Sequence, residues 1–385
     1  MSYEEALELL KNCSTDKGFI ASAIDKDNYK RIFGRDSIIT GLAALMTKDK
    51  ILIKQTKKSL ETLLKNQSET GQIPSNVSLD EEKVSYGGPA GRVDSNLWLV
   101  IGFSQYVKRT KDLSFLKKHI ERIDKIMFLL KCYEFNNKNL IYTPKSGNWA
   151  DEYLQEGYVL YDEVLYYRSL EEYAYLLKTV GKDNKEVIGK ANKVKKIILT
   201  NFWPEKENEY VYHKPVFEKA VKKPYLLAYF NPAGYGLKFD GFGNSLALHF
   251  NILDEEKEKE LLEYVKKHFT SKTKYLIPAF YPAIRREDKQ YELLRNNYSH
   301  RFKNKPYEYH NGGLWPVITG FFASTRKANT EKYIKGINWA NNLRNNSFTE
   351  FVNAKTMRGS GTKYLAWSAA GEIIARKSLE EEVFI

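Results

Sequence analysis

The sequence predicts an all-α fold, a closed double ring of about twelve helices, on three observations. Apolar residues recur at i, i+3, i+4 and i+7 from one end of the chain to the other, whereas strand-like alternation is rare. The connections alternate between short charged turns and long segments rich in Gly, Pro, Asn and Trp. Finally, about six helical hairpins, repeating at roughly 60 residues, close naturally into an (α/α)6 barrel with every long connection at one end.

In chain order, helical periodicity marks 3–13, and "NYKRIFGRDS" leads into a helix at 36–47. The turn "TKDK" joins this to 50–67, and the long "GQIPSNVSLDEEKVSYGGPAGRVDS" follows. Helices at 95–109 and 113–132 flank the turn "KRTKDLS", and "YTPKSGNWADEYLQEGY" then leads to 161–180. After "VGKDNKE" comes 183–201, then "NEYVYHKPVFEKAV", the clearest candidate for a short β-hairpin, and the loop "NPAGYGLKFDGFGN". Helices 241–252 and 255–268 share the turn "LDEEK", and a long segment ending in "YEYHNGGLWP" opens 313–326. The turn "TRKANT", a helix at 330–345, "SFTEFVNAKTMRGSGTKY" and a last helix at 364–377 complete the pattern. Short turns suit antiparallel neighbours, and long structureless loops in a compact domain usually carry function. One domain spanning 1–385 is expected.

Composition narrows the function. The 61 basic and 48 acidic residues give a net charge of +13, but the lysines are scattered through helical stretches beside Glu or Asp. A solvated surface explains them better than a nucleic-acid partner. No apolar run reaches the roughly 18 residues of a membrane span, and the N-terminus lacks a basic-then-apolar leader, so a soluble, cytoplasmic protein is expected. The two cysteines, Cys13 and Cys132, form neither a disulfide framework nor a metal-ligand spacing. Neither metal nor cofactor is expected. Aromatics reach 14%, enough to furnish both a core and a site that stacks flat ligands.

The long connections gather Arg35, Asp36, Asp94, Asp151, Glu152, Asp240, Glu308, His310 and Glu350, with Trp98, Trp149, Trp315 and Trp367 beside them. Carboxylates in an aromatic-walled cleft are what glycoside hydrolysis requires: one holds a proton for the leaving oxygen, another activates water or attacks carbon. Aromatic faces cover apolar sugar faces, while Arg, Asp and Asn bind hydroxyls. Taken singly, Asp36 and Asp94 also suit helix caps, Asp162 and Glu163 a helix start, His310 a structural histidine and the tryptophans a core. Two other functions stay open. A sugar epimerase or isomerase would need catalytic histidines, and a non-catalytic carbohydrate-binding barrel would need neither carboxylate.

The order "NYKRIFGRDS", "GRVDSNLWLVIGF", "NWADEYL", "NPAGY", "YHNGGLWP", "SFTEF" and "YLAWSAAGEIIA" resembles that of the alkaline/neutral invertases from about Asn28 to Lys377. More distantly it is similar to the glucosidase domain of glycogen-debranching enzymes, whose form "FGRDS" follows more closely. The resemblance implies an (α/α)6 barrel and metal-free, inverting, exo-acting hydrolysis of an α-glucoside, sucrose-like or α-1,6-linked. It implies Asp151 as general acid, kept protonated by burial near Trp149, and Glu350 as catalytic base. Arg35 and Asp36 would grip the non-reducing glucose, with His310 and Asn311 lining the same subsite. Asp94, Trp98, Trp149, Trp315 and Trp367 complete the expected substrate-binding set. The chain differs from invertases at Glu152-Tyr153, where they carry two arginines, and at "GSGTKY", where they carry a Lys-Gln-x-Arg run. Both positions help shape the aglycone side.

Overall fold

The structure, a computed structural model, describes residues 3–297 and 301–385. Fourteen α-helices lie among these residues: α1 (Tyr3–Asn12), α2 (Asp36–Thr47), α3 (Lys50–Lys65), α4 (Val93–Thr110), α5 (Leu113–Cys132), α6 (Leu160–Thr179), α7 (Lys185–Phe202), α8 (Lys214–Phe217), α9 (Gly241–His249), α10 (Glu255–His268), α11 (Gln290–Arg295), α12 (Pro316–Ser324), α13 (Thr330–Asn346) and α14 (Ala366–Lys377). All twelve expected helices are present. The two additions, α8 and α11, are short turns within long connections.

Six helices form an inner ring in the order α2, α4, α6, α9, α12 and α14, and α14 closes the ring by packing on α2. Outside it, α3, α5, α7, α13 and α1 pack on α2, α4, α6, α12 and α14 respectively. The tenth helix joins the outer layer through Tyr264, which meets Tyr225 and Phe239. Sequence explains the division. Inner helices have little polar surface to offer: α2, "DSIITGLAALMT", is buried from Asp36 to Met46, and α12 is buried throughout. Outer helices are amphipathic; α3 buries Leu52, Leu60, Leu63 and Leu64 and leaves its lysines to solvent. Where α12 and α14 cross, backbones touch. A Cβ on Gly320 would lie 2.3 Å from the Gly371 carbonyl oxygen, and one on Gly371 would lie 2.7 Å from the Cα of Val317.

Five inner helices pass to their outer partners through short turns, whereas α14, the last helix, is backed by α1 from the other end of the chain. Two turns use the same device: Lys48 and Lys111 adopt left-handed φ of 61° and 58°, and the next residue is a capping aspartate. Asp49 accepts the Ile51 N–H at 2.8 Å and Asp112 accepts the Phe115 N–H at 3.0 Å. The return connections are long, and small antiparallel sheets organise them. These are β1 (Ser14–Thr15) with β2 (Gly18–Phe19); β3 (Ile32–Phe33), β4 (Asn76–Val77) and β5 (Val84–Ser85); β6 (Tyr158–Val159), β7 (Leu227–Asn231), β8 (Gly234–Asp240) and β9 (Phe280–Tyr281); and β10 (Phe351–Val352) with β11 (Gly359–Ser360). The four-stranded sheet ties three connections together. No helix among the described residues is long and apolar enough to cross a membrane.

The hairpin expected at "NEYVYHKPVFEKAV" is not there. The Asn201 side chain binds the backbone of Tyr210 and Tyr212 at 2.8 Å each, in place of a partner strand. Pro215, which has no ladder N–H, begins α8 instead. The true hairpin, β7 and β8, follows in the stretch expected to be a loop, turning where Asn231 Oδ1 accepts the Ala233 N–H at 2.9 Å. Helix 313–326 begins later than expected, with Trp315 as cap and Pro316 as its first residue, because Leu314 bridges to Pro278 and Val352 in extended form.

Because Gly320 and Gly371 meet backbone to backbone, Gly320→Ala and Gly371→Ala are each expected to destabilise the ring by about 1–3 kcal/mol, the usual cost of overpacking. Urea unfolding followed by circular dichroism measures this; unchanged midpoints in both variants would contradict the close crossing.

Candidate active site

The alternation of short and long connections brings the N-terminal ends of all six inner helices to one end of the barrel, where the long connections enclose a cavity of about 710 Å³. Arg35, Asp36, Trp149, Asp151, His310, Trp315, Glu350 and Trp367 all line it. Three of the expected residues do not. Trp98 is fully buried in the ring, donating from Nε1 to the Tyr161 hydroxyl at 2.7 Å and packing on Phe242 and Phe321. It stands one helical turn deeper than Asp94 and so points into the core. Asn311 is a structural clasp: its amide binds the Ile284 backbone through both Oδ1, at 2.6 Å, and Nδ2, at 2.9 Å. Asp94 lies behind the wall, accepting Arg35 Nη1 at 3.0 Å and the Tyr161 hydroxyl at 3.3 Å.

Arg35 is the cap residue of α2, its side chain making no capping bond among the described residues, and Asp36 is the first residue of the helix. The guanidinium pairs with Asp36 at 3.2 Å and Asp94 at 3.0 Å and lies over the Trp367 ring at 5.5 Å. Two carboxylates on separate helices therefore fix one arginine. Burial pushes the Asp36 carboxyl above its ordinary range against the pull of Arg35.

Aromatic rings form the floor. Trp149 meets Trp315 edge-on at 5.5 Å and His310 at 4.9 Å, while Trp315 stacks near-parallel on His310 at 5.8 Å. Burial, with Lys303 and Arg35 nearby, holds His310 well below the ordinary histidine range, so the ring is neutral at pH 7. The buried atoms His310 Nδ1, Trp149 Nε1 and Trp367 Nε1 bond to no protein group among the described residues. Flat rings with hydrogen-bonding atoms at their edges suit a sugar, which has apolar faces and a hydroxyl rim.

The two carboxylates expected to do chemistry have different surroundings. Glu350 is 4% exposed. Its Oε1 accepts the Tyr29 hydroxyl at 2.9 Å and its Oε2 the Thr362 N–H at 2.9 Å. Gly361 makes room for it: at φ +76°, a Cβ there would lie 2.2 Å from Oε2. The divergent "GSGTKY" stretch therefore builds the cradle of Glu350. Burial raises this carboxyl above its usual range, opposed by the Thr362 and Tyr29 bonds and by Lys303. The side chain of Asp151, by contrast, is 24% exposed, and Arg92 Nη2 donates to its Oδ2 at 2.7 Å. The apolar burial expected around Asp151 is not found, because the Trp149 ring turns to the floor while the next turn of chain carries Asp151 to Arg92.

Glu152 and Glu308 also line the cavity, whereas other acidic residues of the long connections are placed elsewhere. Asp240 is fully buried as the cap of α9, accepting two backbone N–H groups, and burial pushes its carboxyl up to about 7. Asp162 and Glu163 occupy the buried first turn of α6; Asp162 accepts Asn148 at 2.7 Å and Thr143 at 2.9 Å. Sequence reasoning missed Tyr29, Arg92, Lys303, Tyr309 and Thr362 as cavity residues. Tyr29 and Arg92 lie inside the quoted motifs, so motif position signalled them; nothing local signals Lys303.

The model of the alkaline and neutral invertase family matches residues 8–214 and 208–382. Neutral/alkaline invertase 3 of Oryza sativa subsp. japonica is 22% identical over 98% of this chain and 73% of its own length. Probable alkaline/neutral invertase A of Arabidopsis thaliana is 22% identical over 98% and 70%. Among solved structures, a mannosylglycerate hydrolase from Thermus thermophilus superposes with a TM-score of 0.66 at 12% identity, over 97% of this chain and 99% of that one. A bacterial glucoamylase complexed with acarbose gives 0.69 at 15% identity, over 99% and 56%. These likenesses establish the (α/α)6 barrel as the shared fold. By its match along almost the entire sequence, the chain belongs to the alkaline and neutral invertase family and is a glycoside hydrolase.

Proposed function

We propose that the protein hydrolyses an α-glucoside from its non-reducing end with inversion at the anomeric carbon. The observation that carries this reading is the presence of Asp151 and Glu350 on the walls of one cavity whose floor is aromatic and whose inner end holds the Arg35–Asp36 pair. The terminal glucose lies against Trp149, Trp315 and Trp367, with hydroxyls bound by Arg35, Asp36 and the free edge of His310. Asp151 gives its proton to the departing oxygen; Arg92, bonded to Oδ2, orients the carboxyl and stabilises the anion left after transfer. Glu350 takes a proton from the water that attacks the opposite face of the ring. Its Tyr29 and Thr362 bonds fix the carboxylate and favour the ionised form that a base requires. The sucrose-splitting names of the plant relatives place sucrose among the first substrates to test, alongside isomaltose and other α-1,6-linked glucosides.

Asp151→Asn and Glu350→Gln are each expected to lower kcat by about 10²–10⁴-fold, the range general acid–base catalysis supplies, with circular dichroism unchanged. Activity near the wild-type level in either folded variant would remove the assigned role.

The acidic limb of kcat/KM reports ionisation of the base in the free enzyme, and activity rises as Glu350 loses its proton. Tyr29→Phe removes a donor that favours the carboxylate, so the limb is expected to move to higher pH. A pH–rate profile checks this; an unmoved limb, or one displaced to lower pH, would contradict the role given to Tyr29.

A further inference from the structure

We infer that the leaving group of the substrate is anionic, carrying a carboxylate or a phosphate received by a basic strap at the mouth of the cavity. This rests on the hydrolase reading of the same site and specifies its substrate class. Residues 301–305 lie outside any helix or strand. Exposure alternates along them: Arg301, Lys303 and Lys305 are exposed, Phe302 is half-buried and Asn304 is buried. The three cations line the cavity together with Phe302, and Phe302 and Asn304 fasten the strap. Phe302 packs edge-on against Tyr291 at 6.0 Å. Asn304, fully buried, donates to the Glu152 carbonyl at 2.8 Å and accepts the Asn311 N–H at 3.2 Å.

The charge pairing is uneven. The site carboxylates are engaged: Asp36 by Arg35, Asp151 by Arg92, and Glu350 by Tyr29 and Thr362. On the strap, Lys303 pairs with Glu152 at 3.1 Å, but no described carboxylate forms an ion pair with Arg301 or Lys305. Lys26 lines the same cavity, also without an ion pair among the described residues; the nearby acids are Asp27 and Glu308, and Glu308 accepts Asn353 at 3.1 Å. Like charges at alternate positions of one short segment repel, an arrangement that an anion between them relieves. A neutral second sugar gives no such relief. Asn304 and the Lys303–Glu152 pair fasten the strap to the loop that carries the acid, where the departing group leaves, while Lys303 also faces Glu350. The net charge of +13 adds long-range attraction for an anionic substrate.

The test uses matched pairs of glucosides. α-Glucosylglycerate and α-glucosylglycerol differ by a carboxylate against a hydroxymethyl group; sucrose 6′-phosphate and sucrose differ by a phosphate on the leaving sugar. The anionic member of at least one pair is expected to show a kcat/KM higher by about tenfold or more, the scale of one charge-assisted contact. Which pair shows it tells carboxylate from phosphate. The preference is expected to shrink in the double variant Arg301→Gln/Lys305→Gln and at high salt. Parity within both pairs, or a preference unaffected by the double variant, would overturn the inference while leaving the hydrolase reading intact. If no glucoside is cleaved, that reading fails instead. Calorimetric affinities of the same pairs for folded Glu350→Gln protein then decide the strap separately, and equal affinities within both pairs would overturn it.

Discussion

Ring closure is the constraint on which everything else depends. Six apolar helices must each bury nearly all of their surface, and they do so by running in the same direction around a common axis with an outer layer behind them. The direct contact of Gly320 with Gly371 shows how little space this leaves at one seam. Once the inner helices are parallel, the chain has no choice about its loops. Short turns lie at one end, and the long connections, each starting from an outer helix, lie at the other. The positive ends of six helix dipoles then face the long loops. Acidic residues in the first turns of α2, α4 and α6, and the Asp240 cap of α9, answer that field.

This architecture gives two carboxylates different environments within one cavity. Glu350 sits just before β10, buried between a tyrosine hydroxyl and a backbone amide. Asp151 sits on a loop, partly open to solvent and steered by Arg92. A fixed base and an acid on a more open wall correspond to the two jobs in hydrolysis. The attacking water must be aimed from one rigid position, whereas the acid must meet leaving groups that arrive and depart through the mouth. The strap at 301–305 belongs to this outer zone. It is joined to the acid's loop by Asn304 and Asn297, which bond to Glu152 and Tyr153.

The barrel was legible in the sequence because its signals are local and repeated. Helical periodicity marked all twelve long helices, and the Lys-Asp turns marked the closed end. The β7–β8 hairpin was missed because glycine and proline masked its alternation, while "NEYVYHKPVFEKAV" showed alternation with no partner strand. Within the site, motifs identified the right loops but not side-chain direction. Asp94 and Trp98 share one motif with Arg92, yet only Arg92 reaches the cavity; Asn311 adjoins His310 and turns away from it. What remained hidden is long-range pairing. The Tyr29–Glu350 bond joins positions 321 residues apart, and the backbone of Thr362 holds the other oxygen of the base from a separate stretch.

In the proposed reaction, water held by Glu350 attacks one face of the sugar while Asp151 protonates the oxygen leaving from the other. The most direct measurement is proton NMR of the first glucose released from an α-glucoside, recorded before mutarotation. β-Glucose is the predicted initial product. Initial release of α-glucose would contradict the mechanism, because retention requires one carboxylate to bond the anomeric carbon rather than activate water.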